Sequence, residues 1–259
     1  MNTIHVAVDF SILLHSNYHV LKKIGEPTGK GLAEMCLSSI NKLVMDISLR
    51  FKRRSEIYVC TDTGDSWRKT LCVGYKSKRV PNDDFLECAY EARSIVAKDF
   101  NILEMDGMEA DDWGYLMAYY KQPCVLVSND NDWKQMVLSD DVVYFKFRTK
   151  DFYTSMDINP MYEAFEKLVL GCPGDEIPRL LPKGVRRTEV AQMYDRLETL
   201  VGPFISYTKA AKMAIADHGY TVDLKRFIIN YMVANYSVDT IKKQFESKWN
   251  KIESQLRIS

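Results

Sequence analysis

The sequence predicts an α/β protein, a mainly parallel sheet flanked by helices and followed by an all-helical C-terminal part. Three observations carry that prediction. Strand and helix patterns alternate from residue 4 to about 150, which favours parallel strands joined by helical crossovers. From about residue 156 the strand signals stop and helical spacing remains. The short apolar runs of the first part are repeatedly followed by acids, and in open α/β sheets ligands bind outside the carboxyl ends of the strands.

Taken in order, Ile4–Val8 (IHVAV) is a β-prone run ending at Asp9. Phe10–Val20 turns away from the sheet and Gly25–Gly31 reads as a loop. Leu32–Phe51 has the spacing of a helix, closing on Arg50, Lys52, Arg53 and Arg54, charges that suit a helix C-terminus. Ile57–Thr61 (IYVCT) is a second strand ending at Asp62, and Asp83–Lys98 an amphipathic helix. Asn101–Met105, Cys124–Ser128 and Val142–Phe147 are the third to fifth strands, with a helix-like Trp113–Tyr120 between the third and fourth. Pro160–Leu170, Thr188–Val201, Tyr207–His218 and Val222–Asn235 read as helices, and Val238–Ile252 as a last, polar one. The expected break lies near Asp151–Asn159, separating an α/β domain (1–155) from a helical region (156–259). There is no internal repeat.

A chain of 259 residues fits one large or two small domains. Its 46% hydrophobic content is that of a globular protein with a real core. No apolar run approaches the ~18 residues of a membrane span. The opening MNTIHVAVDF lacks the basic start and apolar stretch of a signal peptide, so a cytoplasmic protein is expected. The six cysteines are scattered without a C-x-x-C, which argues against a disulfide framework or a zinc site. Lys plus Arg equals Asp plus Glu. A zero net charge argues against coating nucleic acid by bulk charge but leaves room for local basic patches.

The most informative stretch is Met105–Met136, with Glu109, Asp111 and Asp112 before a helix and Asp130 and Asp132 after a strand. Any one of these acids alone suits a helix cap or an Asx turn. With Asp9 and Asp62, however, three strands end in acids, and right-handed crossovers bring such ends to one edge. Two carboxylates ~4 Å apart repel by roughly 4 kcal/mol at an effective dielectric of about 20. Cations offset that repulsion, and oxygen-rich sites suit Mg²⁺ or Mn²⁺. A pair of ions would point to phosphoryl chemistry, one activating water and one stabilising the leaving oxygen. A basic segment follows the second strand: Arg68, Lys69, Lys76, Lys78 and Arg79 interleaved with Trp67 and Tyr75. Arg and Lys hold phosphates and aromatic rings can stack on bases, although either aromatic alone is more simply a core residue.

At this point the chain resembles the 5′-nuclease (flap endonuclease and 5′→3′ exonuclease) family, nearest to its ribonuclease H branch from T-even-like bacteriophages. VDFSILLHS resembles the family's first-strand Asp motif, and CTDTGDSWRKTLCVGYKSKR its Asp-then-Arg, Tyr-Lys-x-x-Arg block. MEADD resembles its Glu-Ala-Asp-Asp motif, VSNDNDWKQM its Ser-x-Asp-x-Asp-x-x-Gln-Leu motif, and LGCPGDEIP its Gly-Asp-x-x-Asp-Asn-Ile-Pro block. These five blocks run in order from residue 4 to about 180. The resemblance implies a PIN-like catalytic domain. Its metal site would comprise Asp9, Asp62, Glu109, Asp111, Asp112, Asp130, Asp132 and Asp175, holding two Mg²⁺ ions with Mn²⁺ able to substitute. Lys76 and Arg79 would meet the scissile phosphate, with Asp130 the third catalytic residue. A helical arch near 66–98 would admit a 5′ single strand. Arg68, Tyr75, Lys78, Arg179, Lys183, Arg186 and Arg187 would contact nucleic acid, the last four on the helical, duplex-binding side. Implied partners are DNA and RNA–DNA duplexes with a 5′ single strand and single-strand-binding or other replication proteins. A monomer away from membranes, removing RNA primers in phage replication, is the implied setting.

Two departures stand out. Cys172 occupies the place of the first Asp of the last block, leaving Asp175. The Gly-x-Gly helix–turn–helix signature that usually follows is replaced by RLLPKGVRRTEVA. A PIN-type ribonuclease and a family member that binds branched DNA without cutting remain the alternatives.

Overall fold

The structure is a computed structural model and describes residues 3–257. Among these residues six strands form one sheet in the order β3-β2-β1-β4-β5-β6. They are β1 (Thr3–Asp9), β2 (Arg54–Cys60), β3 (Asn101–Leu103), β4 (Cys124–Ser128), β5 (Val142–Lys146) and β6 (Asp151–Tyr153). The first five run parallel and β6 pairs antiparallel with β5. The order reverses at β1: the chain first winds outward to β2 and β3, then returns to add β4 on the other side. Register puts Asp9 beside Cys60 and Val8 beside Val127, so the carboxyl ends of β1, β2 and β4 finish level.

Contacts divide the chain into two compact units. The first comprises residues up to Trp67, Arg79–Ile158 and the segment from Ser237 onward. Its core is built by Val6, Val8, Val59, Val125 and Val127 of the sheet against three helices, α1 (Phe10–Ile24), α2 (Gly29–Phe51) and, after the one-turn α3 (Arg68–Leu71), α4 (Asp83–Val96). α4 is packed on α2 through Phe85, Ala92 and Val96. α5 (Ala110–Tyr120) packs over β1, β2 and β4. The second unit comprises Arg68–Lys78 and Asn159–Tyr236. Its core joins α6 (Pro160–Leu170), α7 (Arg187–Leu200), α8 (Tyr207–Asp217) and α9 (Leu224–Ala234) through Phe165, Leu168, Val190, Leu197, Ala214 and Phe227.

The α/β class with a helical second part is as the sequence predicts. The differences have local causes. Phe10–Ile24 is a full helix, because Leu13, Leu14, Asn17 and Tyr18 form one buried face and Asp9 caps it. β6 has three residues, too few for a periodic signal, and is held by Phe152 packing on Phe145 and under the Arg50 guanidinium. The last helix is broken into α10 (Val238–Gln244) and α11 (Trp249–Arg257). That C-terminal segment belongs to the first unit, where the Gln255 amide donates to the Glu104 carbonyl (3.0 Å) and accepts from its N–H (3.1 Å). The units are therefore not the contiguous halves expected from a break near residue 155. No helix among the described residues is long and apolar enough to cross a membrane.

One glycine decides the shape of the second unit. Gly171 ends α6 at φ 70°, ψ −177°, a region open essentially to Gly alone. A Cβ there would stand 2.5 Å from the Ile177 carbonyl oxygen and 2.8 Å from the Arg179 nitrogen. Both are backbone atoms that cannot swing aside. Gly171→Ala is expected to lower unfolding free energy by about 3 kcal/mol, measured as a reduced urea midpoint; an unchanged midpoint would show that the turn re-forms without strain.

Candidate active site

The acids predicted for the sheet edge gather at the carboxyl ends of β1, β2 and β4 and the start of α5. Asp9 ends β1 and caps α1, its Oδ1 accepting from the Ile12 N–H at 3.4 Å. Its Oδ2 accepts from the Ser128 hydroxyl at the end of β4, 2.8 Å away. Ser128 Oγ in turn accepts from the Asp130 N–H at 2.9 Å. One hydroxyl thus ties the two strand ends on either side of the reversal. Tyr144 of β5 donates to the Asp130 carbonyl at 3.0 Å, fixing the turn from beyond.

Asp62 lies two residues past β2. It accepts from the Ser11 hydroxyl and from the Ala110 N–H at the head of α5, each at 2.7 Å. Carboxylates are favoured at a helix N-terminus, so α5 draws Asp62 towards Asp111. Asp111 accepts from the Trp133 indole N–H at 2.7 Å. Burial pushes the Asp9 carboxyl well above its usual range, and the neighbouring charges of Asp111 and then Asp62 push it further; the bonds from Ser128 and Ile12 oppose this without reversing it. Asp9 therefore lies within electrostatic reach of both Asp111 and Asp62.

Other expected ligands have structural duties. Asp112 is fully buried, and its Oδ2 accepts from the Glu109 N–H (3.0 Å) and the Trp67 indole (3.1 Å). It closes the first turn of α5, as the cap reading of that position allows. Asp130 caps the short 3-10 helix Asn131–Met136 by accepting from the Asp132 N–H at 2.9 Å, an Asx turn. Glu109 is buried, Asp132 half-buried and Asp130 exposed. Among the described residues, no three His, Cys, Asp or Glu side chains converge into a ready-made metal cage.

The remaining predicted residues lie in the second unit, apart from Arg79, which is exposed in the first. Asp175 is buried and paired with the Lys167 ammonium at 3.3 Å, with both side chains about a tenth exposed or less. Asp175, expected as a metal ligand, thus has the Lys167 ammonium as an ion-pair partner within its own unit. Cys172 packs against the apolar group of Tyr75, Ile177, Val233 and Ala234. It is a packing position in the place where the family block has an Asp. Glu176, at φ 58°, accepts from the Lys78 N–H at 2.7 Å and pairs with its ammonium at 3.2 Å. Lys76, at φ 52°, donates its N–H to the Asp175 carbonyl at 3.0 Å. Two side-chain-bearing residues in the left-handed region thus flank the Asp175 turn, a kind of strain that clusters at functional sites.

Three nucleic-acid expectations are also corrected. Tyr75 is 2% exposed within its apolar group and Arg68 is 1% exposed, donating to the Val233 carbonyl. Arg179 turns back onto the carbonyls of Leu181, Pro182 and Val185. Lys78, Lys183, Arg186 and Arg187 are exposed, Arg187 bonded to Glu166 at 2.7 Å. Sequence reasoning passed over Ser11, Ser128, Trp133 and Lys167. Ser128 and Trp133 stand inside a recognised motif, whereas a single lysine on a mostly apolar helix gives no signal of a buried partner.

The class defined by this sheet and its carboxylate edge is a 5′ nuclease. The chain belongs to the 5′-3′ exonuclease family: the profile of that family's N-terminal resolvase-like domain matches residues 5–166. Comparison with curated proteins gives no match. Among solved structures, the chain is similar to a bacteriophage T5 protein co-crystallized with metal ions (18% identity, TM-score 0.70, covering 99% of this chain and 100% of that one). It is similar as well to the bacteriophage T5 5′-exonuclease with bound zinc (19%, 0.66, 99% and 100%). A third likeness is to the bacteriophage T5 flap endonuclease in a pseudo-enzyme–product complex with DNA and metal ions (18%, 0.64, 98% and 99%). At these identities the likeness is one of fold.

Two predictions follow from this charge pattern. A carboxyl whose pKa is raised on folding stabilises the protein most below the usual carboxylate range, and that stability is lost as pH climbs through the raised value. Without added metal, the melting midpoint of Asp9→Asn minus that of wild type should therefore grow in the variant's favour as pH rises from about 4; a difference independent of pH contradicts the buried-charge account. Lys167→Met should cost about 3 kcal/mol by removing the buried ammonium paired with Asp175. Adding Asp175→Leu should recover most of that loss in the same urea titration, because an apolar pair removes the buried charge.

Proposed function

We propose that this enzyme is a divalent-metal-dependent 5′-3′ nuclease. It hydrolyses phosphodiesters of RNA–DNA and DNA–DNA duplexes and of 5′ flaps, and its work is removal of lagging-strand RNA primers in phage DNA replication, which entails ribonuclease H activity. The observation that carries this reading is the gathering of carboxylates at the strand reversal, with Asp9 held by Ser128 at the end of β4 and Asp62 by the Ala110 N–H at the head of α5, beside Asp111. A site of this kind favours a cation, which offsets the repulsion between its carboxylates. Mg²⁺ fits without a ready-made cage, since it keeps several waters and uses one or two carboxylates together with substrate phosphate oxygens. The metal-bound and DNA-bound forms of the T5 relatives support the same reading.

Asp9, Asp62 and Asp111, with Glu109, Asp130 and Asp132 behind them, are the oxygen donors in this proposal. A bound divalent ion supplies a water acidic enough to attack near neutral pH and charge for the departing oxygen. The chain's own residues do the rest. Ser128 and Ser11 hold Asp9 and Asp62 in fixed orientations. Lys76 and Arg79 steady the scissile phosphate, and residues between Trp67 and α4 form the arch admitting the 5′ strand. Lys183, Arg186 and Arg187 grip the duplex backbone. The setting is the host cytoplasm, with the protein as a monomer and a single-strand-binding protein or other replication proteins as partners. A second reading, binding of branched DNA without cleavage, draws on Cys172 and on the Asp175–Lys167 pair.

The test is an Mg²⁺ titration on 5′-labelled flap and RNA–DNA substrates with product lengths measured. Short 5′ products that need Mg²⁺ or Mn²⁺, and vanish in Asp111→Asn while DNA binding persists, are expected. Lys76→Ala should slow single-turnover cleavage by about 10²-fold. Lys183→Ala should weaken binding and reduce the salt slope by about one unit. Tight binding with no cleavage in any divalent ion would favour the second reading.

A further inference from the structure

We propose that Trp133 is a positioning residue for Asp111, and that Gly114 is side-chain-free so that the Trp133 ring can reach it. The inference rests on the metal-site reading above and deepens it. Asp111 stands in the first turn of α5, where a short acidic side chain has several staggered orientations open to it. The Trp133 indole N–H meets its Oδ1 at 2.7 Å, the short length of a bond to a charged acceptor. Trp133 is fully buried, so its planar ring has one orientation and imposes that orientation on the carboxylate.

Gly114 lies one helical turn beyond Asp111. A Cβ there would come within 2.8 Å of Trp133 Cη2, 2.9 Å of Cζ3 and 3.1 Å of Cζ2. These are atoms of a rigid ring, not the tip of a flexible chain. Glycine inside a helix is unfavourable, and here it answers a demand for space, since its backbone does not adopt a positive φ. Trp133 also follows Asp132 directly. One rigid plate therefore connects the acids at the head of α5 with those after β4. The second indole near the site serves another end: Trp67 bonds Asp112, the carboxylate used to close the helix turn. The two adjacent aspartates are thereby given different work, Asp112 inside the fold and Asp111 towards the cluster with Asp9.

The alternative is that Trp133 only fills the core. The two roles separate when Mn²⁺ binding is measured by electron paramagnetic resonance on full-length folded protein, with the thermal midpoint recorded beside it. Trp133→Phe keeps most of the packing and removes the N–H; Gly114→Ala keeps the N–H and displaces the ring. Both should weaken Mn²⁺ binding by about 10-fold, the usual scale for losing a partner that orients a metal ligand. Should Trp133→Phe fail to fold, Gly114→Ala decides alone. Variants that melt lower yet bind Mn²⁺ as wild type does overturn the positioning role and leave the metal reading intact. A wild-type protein that binds no Mn²⁺ overturns the metal reading and this inference with it.

Discussion

The reversal of strand order at β1 is the constraint on which the site depends. Crossovers that leave β1 go one way to β2 and β3, and those that arrive at β4 come from the other side. The carboxyl ends of β1 and β4 are consequently neighbours whose connections diverge, the place at which open α/β sheets bind their ligands. Asp9 and Ser128 flank it. Their bond can form only because the pairing of Val8 with Val127 brings both ends level. A slip of one residue would turn Asp9 to the opposite face, so the apolar alternation of β1 and β4 sets the chemistry as well as the core.

The chain answers its acids in three different ways. Asp112 receives neutral donors from the backbone and an indole. Asp175 receives a buried ammonium. Asp62 receives a hydroxyl and the head of a helix. Asp9 also receives two donors, and they do not suffice, as its raised pKa records. Donors of partial charge stabilise a carboxylate in proportion to their number and geometry, whereas two like charges nearby act together. At Asp9, burial and the like charges of Asp111 and Asp62 outweigh those donors.

Most of the first unit was legible in the sequence because buried parallel strands are short apolar runs with acids at their ends. Cys124–Ser128 is the clearest case, recovered residue for residue. The acidic edge was legible for the same reason. What escaped depended on partners far along the chain. Lys167 becomes intelligible only once the turn at Gly171 brings Asp175 back against α6. Arg68 and Tyr75 looked like a nucleic-acid surface because cations and aromatics alternate there, yet Arg68 spends its guanidinium on the Val233 carbonyl and on the Tyr236 ring. Charge alternation along a sequence does not distinguish a solvated face from one that satisfies buried carbonyls. The family resemblance, in turn, groups Asp112 with the ligands by its place in a motif, and only the fold shows the Glu109 N–H and Trp67 indole that bond it.

The interleaving of the two units has a consequence for biosynthesis. A nascent chain emerges from its N-terminus, and compact regions generally assemble as they appear. Here the segment that meets the chain just past β3, through the paired bonds of Gln255 with Glu104, is made after the rest of the first unit. The whole second unit is synthesised before it. The first unit therefore waits, its sheet formed and one border unfinished, until that segment emerges. A chain cut short before Ser237 would carry its carboxylate edge without the helices from Val238 onward that complete the first unit.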